Sequence, residues 1–200
     1  MKTCLVKSGS LRWLVCVLAT CLLPSLAYAH VGAGQAGGFA HGFLHPLTGF
    51  DHLAAMVAVG LWAAQRGGRA LWVVPLTFVG VMSLGALLGA PGVPVALVEP
   101  GIVASVFVLG LLVAGAVRLP LLASSLIVGV FALFHGYAHG VEMPQTVSGL
   151  AYGIGFVLAT GLLHGCGIAL GLLAGRLGSP RFVRYAGGAT AALGVCLLVT

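Results

Sequence analysis

Charge is the scarcest property of this sequence. Of 200 residues, 6% are charged, and the only acids are Asp51, Glu99 and Glu142. A soluble domain carries charge on roughly a quarter of its residues, so a water-facing catalytic domain is excluded. The nine lysines and arginines are scattered through the N-terminus and short connecting stretches. They form no patch for nucleic acid and read instead as topology signals. Cysteine is sparse too. Cys4, Cys16 and Cys21 sit in an N-terminal leader, Cys166 and Cys196 lie inside apolar runs, and no spacing indicates a disulfide framework. Neither HExxH nor a Walker A sequence occurs, so any use of ATP would require a partner.

What remains is hydrocarbon. Hydrophobic residues make up 60% of the chain, and the mean hydropathy is +1.15. A membrane helix needs about 20 apolar residues, which leaves room for about six. The expected fold is an all-α integral membrane protein. Residues 1–29 read as a cleavable signal peptide: Lys2, Lys7 and Arg12 are its basic start, residues 13–23 its apolar stretch, and Ala27-Tyr28-Ala29 its cleavage site. His30 would then be the mature N-terminus, and residues 30–200 a single six-helix transmembrane domain.

Breakers at Arg66-Gly67-Gly68-Arg69, Pro91-Gly92-Val93-Pro94, Arg118 with Pro120, Met143-Pro144 and Gly178-Ser179-Pro180 divide that domain. They predict spans at 47–64, 70–90, 100–117, 119–137, 147–175 and 182–200. Arg66, Arg69, Arg118, Arg176, Arg181 and Arg184 all fall in the odd-numbered loops, which the positive-inside rule places in the cytoplasm. The expected location is therefore a bacterial cytoplasmic (inner) membrane, with both mature termini on the periplasmic side. Glycines four apart in the fifth span, Gly149/Gly153, Gly161/Gly165 and Gly167/Gly171/Gly175, predict close helix packing.

Ionisable groups inside a bilayer cost about 2.5–3.5 kcal/mol each on insertion scales and mark function by default. This topology gathers them at one face. His45, Asp51 and His52 open the first span, Glu99 opens the third, and His135, His139 and Glu142 close the fourth. His41 and His30 lie on the segment leading in, and Pro46 is expected at the first helical turn with His45 outside it. His135 and His139 share a helix face if the helix runs through Gly136. Asp51 and His52 point about 100° apart, which suits one ligand and one supporting partner. Imidazole with carboxylate suits borderline divalent ions such as Ni, Co, Zn or Cu(II). His164 lies deeper, and is either a relay ligand or a core histidine bonded to a carbonyl.

The first-span run HPLTGFDH, the fourth-span run FHGYAHGVE, the acid opening the third span and the leader resemble the HupE/UreJ family. These are hydrogenase and urease accessory proteins regarded as nickel permeases, with cobalt in some members. The first run also looks, more weakly, like the HxxxxDH motif of the larger nickel/cobalt transporter family, with one extra residue. The resemblance implies a permease and not an enzyme, with no prosthetic group and Ni(II) or Co(II) as cargo. His45, Asp51, His52, Glu99, His135, His139 and Glu142 would form its metal site, with His30, His41 and His164 as further candidates. Expected partners are the ion, membrane lipid and, as an open alternative, further copies of the chain. Uptake would fall as pH drops through the histidine range. The rival readings are a membrane metalloenzyme, a bis-histidine haem protein, and a metal sensor or delivery protein.

Overall fold

A computed structural model describes residues 36–144 and 147–199, where the only regular secondary structure is α-helix. The expected signal peptide and His30 lie outside the described residues. Seven helices follow in order: α1 Ala36–Thr48, α2 Phe50–Arg66, α3 Ala70–Gly89, α4 Val98–Ala114, α5 Leu121–Glu142, α6 Gly149–Arg176 and α7 Pro180–Val199.

The beginning differs from the sequence expectation. Instead of one helix over 47–64 with a lead-in before it, α1 and α2 meet at Gly49 with an 82° bend. His41 and His45 are both inside α1, and Pro46 lies near its end rather than in a first turn. The stop has a local cause. Pro46 has no N–H to donate one turn back, the Thr48 hydroxyl donates to the His45 carbonyl at 2.7 Å, and Gly49 turns extended (φ −93°, ψ 120°). The α1 helix is held by α6: a Cβ on Gly42 would overlap the Tyr152 carbonyl, and one on Gly155 that of Phe39. Packing, not propensity, makes this glycine-rich segment helical.

The same device joins the other helices. Here α3 lies along α5, α4 along α7, and α2 along α6. A Cβ on Gly136 would overlap the Met82 carbonyl, and one on Gly140 that of Ala86, fixing the α3–α5 register. Gly60 and Gly167 meet the carbonyls of His164 and Val57 between α2 and α6. The expected α6 ladder is corrected in part. Gly167 and Gly171 do face α2, but Gly153, Gly161, Gly165 and Gly175 meet nothing within 4 Å: Gly161, Gly165 and Gly175 are exposed, and Gly153 borders a cavity shared with Ser83 and Ala86.

Polarity is arranged inside out. Trp72, Leu87, Leu122 and Leu150 are exposed, while Ser105, His135, His139, Thr160 and His164 are buried. The helices α3, α5, α6 and α7 are each long and apolar enough to cross a bilayer, the bent α1–α2 pair is so only when taken together, and α4 is a 17-residue apolar helix. The carbonyls at the end of α4 and just beyond it are satisfied from neighbouring helices. Trp62 Nε1 donates to Val117, Gln65 Nε2 to Val113 and Arg184 Nε to Ala114, as a low-dielectric surrounding requires. The chain is a multi-pass membrane protein.

The glycine contacts are directly testable. Gly136→Ala forces a Cβ against the Met82 backbone and is expected to cost about 1–3 kcal/mol, lowering the thermal midpoint of detergent-purified protein. Gly153→Ala, into open space, is expected to leave that midpoint unchanged or slightly raised.

Candidate functional site

The site is built on two His-Gly pairs in α5. Neighbouring residues in a helix point about 100° apart, so when Gly136 and Gly140 press against α3, His135 and His139 turn into the bundle. The helix continues unbroken to Glu142, which adds a carboxylate at its last turn.

At that end His45 Nε2 donates to Glu142 Oε2 at 2.8 Å, and His139 Nδ1 lies 3.7 Å from the same oxygen. One donor atom each from His45, His139 and Glu142 falls within 4.8 Å of the others, so these three could hold one ion. The imidazoles then continue into the bundle. Ring centroids are 4.7 Å apart for His45 and His139, 4.3 Å for His139 and His52, and 4.7 Å for His52 and His135. Four rings from α1, α2 and α5 form one column.

Two partners set which nitrogen of a ring is free. Asp51 Oδ1 accepts from the His52 backbone N–H at 2.7 Å and from His52 Nδ1 at 2.9 Å. That places the proton on Nδ1 and leaves Nε2 a bare lone pair. A Cβ on Gly49 would sit 2.7 Å from Asp51 Oδ1, so a larger residue there would push this carboxylate aside. In α4 the Ser105 hydroxyl donates to the Ile102 carbonyl at 2.6 Å and therefore accepts from His135 Nε2 at 2.8 Å. His135 Nδ1 is then the free atom. His52 Nε2, His135 Nδ1 and both nitrogens of His139 are buried without a hydrogen-bond partner. Leaving a buried polar atom unpaired costs about 1–3 kcal/mol. Since a neutral ring keeps one proton, these atoms give His52, His135 and His139 one free lone pair each along the column.

The remaining candidates lie apart. Glu99 is exposed on the first turn of α4, where it shares with Glu142 and Tyr137 the wall of a cavity of about 150 Å³. His41 is exposed one turn before His45. His164 is buried below the column, edge-on to Phe78 at 5.2 Å, with both nitrogens unpartnered. It is not bonded to a carbonyl. Sequence reasoning missed Ser105, Phe78, Tyr152 and Phe156. Apart from Glu99, Ser105 is the one polar side chain in the α4 sequence, a signal that could have marked it. Phe156, 4.1 Å from the His139 ring, and Tyr152, 6.0 Å from His45, are indistinguishable in sequence from lipid-facing aromatics. Neighbouring rings this close leave no room for a porphyrin plane between them.

A model of the family described as HupE / UreJ protein matches residues 18–197. Protein HupE of Rhizobium leguminosarum bv. viciae is 45% identical over 182 residues, covering 91% of this chain and 95% of that relative. No solved structure matches.

Titrating Co(II) into the purified protein tests the arrangement. Ser105→Ala releases His135 from its orienting partner and is expected to weaken binding about tenfold, as losses of such supporting hydrogen bonds do. His41→Ala, away from the column, is expected to bind as the wild type does.

Proposed function

Because the chain belongs to the HupE / UreJ family of hydrogenase and urease accessory proteins, a transport family rather than a catalytic one, we propose that it is a permease for Ni(II), with Co(II) as a second cargo. In this reading it carries the ion inward across the cytoplasmic membrane to supply metalloenzyme maturation. The observation that carries the reading is the column of buried imidazoles with unpartnered nitrogens, headed by the half-exposed Glu142. Neutral imidazole and carboxylate are the donors a borderline divalent ion prefers. They replace its hydration shell as it leaves water, and Glu142 and Asp51 offset its charge in low dielectric.

Each residue takes a role from its place. Glu142, His45 and His139 capture the ion, and His52 Nε2 and His135 Nδ1 accept it next. Asp51 and Ser105 hold those two rings in the tautomers that expose a lone pair. Glu99, beside Glu142 at the shared cavity, raises the local cation concentration. The arginines near the opposite helix ends, Arg66, Arg69, Arg118, Arg176, Arg181 and Arg184, support a cytoplasmic assignment for those ends by the positive-inside rule. The Glu142 end is then the periplasmic mouth.

Radioactive nickel uptake by cells tests this. Against wild type at matched membrane abundance, Asp51→Ala, His52→Ala and His139→Ala are each expected to lower uptake at least about tenfold. Wild-type uptake of both nickel and cobalt no greater than that of empty-vector cells would instead favour a sensing or delivery role.

A further inference from the structure

The histidine column stops at Phe78, and one imidazole lies beyond it. The Phe78 ring packs against both histidines, 5.7 Å from the His135 ring and 5.2 Å from the His164 ring, to which it stands at 89°. His164 is 1% exposed, and neither of its nitrogens has a hydrogen-bond partner. The column atoms without partners lie on His52, His135 and His139.

Helix register places His164 on the way inward. Gly136 of α5 is level with Met82 of α3, and the Thr160 hydroxyl of α6 donates to Met82 Sδ at 3.8 Å. Thr160 and Met82 therefore lie beside His135. One helical turn further along, α6 presents His164 and α3 presents Phe78, since residues four apart share a face. A threonine hydroxyl and a thioether, both on fully buried residues, thus line the step between the two histidines. On the other side the His164 backbone is locked against Gly60 of α2, so the ring is carried at a fixed depth by two helices.

We propose that His164 is a second, inner metal station, reached past the edge of Phe78, to which the ion transfers from His135 before release on the arginine-rich side. This rests on the permease reading above. Two stations separated by an aromatic ring let the ion leave the outer ligands without a continuous water path.

Transport into proteoliposomes and Ni(II) binding to the purified protein, measured together on His164→Phe and His164→Met, test it. Phenylalanine keeps the aromatic packing against Phe78 but donates nothing. Methionine has a different shape but keeps a neutral donor. The expected result is a thermal midpoint near that of the wild type in both variants, fewer Ni(II) ions bound at saturation by His164→Phe than by the wild type, and transport at least about tenfold slower in His164→Phe and faster in His164→Met than in His164→Phe. If His164→Phe transports as wild type does, or better than His164→Met, the residue is packing and the inner station is overturned. If wild-type liposomes accumulate neither Ni(II) nor Co(II), the permease reading itself fails, a result distinct from either variant's.

Discussion

Backbone-to-backbone contact at glycine is the constraint from which the rest of this protein follows. In lipid there is no hydrophobic drive to bring one apolar helix to another, so association depends on close fit. The α3–α5 and α2–α6 contacts leave no space even for a methyl group at Gly136, Gly140, Gly60 or Gly167. Such contacts fix rotation and depth together. Once Gly136 and Gly140 are seated on α3, His135 and His139 have no direction to take but inward. The order His-Gly, two residues, His-Gly is thus a packing instruction and a chemical one written in the same turn of helix.

Burial then determines what the histidines can do. A buried imidazole has few partners to choose from, so every hydrogen bond it makes decides which lone pair is left. Asp51 settles this for His52, and Ser105 for His135. Both supporting groups come from elements other than α5, at the first turn of α2 and in the middle of α4. The free atoms are therefore a property of the assembled bundle and not of either sequence run alone.

Much of this is legible in the sequence. The all-helical character follows from composition, and the shared face of His135 and His139 from their spacing. The meeting of His45, Asp51 and His52 with the α5 residues follows from chain direction. The α1 helix was not legible, because Gly37, Gly38, Gly42 and Pro46 are poor helix formers and only the α6 surface makes the segment helical. Ser105 and Phe78 were hidden for a related reason. A buried side chain in an apolar helix reads the same from sequence whether it faces lipid, a neighbour or an ion path. The α6 glycines failed in the opposite sense, since a four-residue repeat marks a stripe without saying which way it points.

The break at Gly49 bears on how such a site can change over generations. A continuous helix acts as a ruler, and one residue added or removed swings everything beyond it by about 100°. Between His45 and the Asp51-His52 pair that ruler is interrupted by an 82° corner, with α1 anchored on α6 at Tyr152 and Gly155 and α2 further along the same helix at Gly167. A length change at the corner alters the linker and leaves both anchored faces where they were. The one-residue difference between the motif here and the shorter HxxxxDH form is the kind of drift that such a corner absorbs. The joint thereby grants the metal-facing residues a freedom of spacing that a straight helix would deny them.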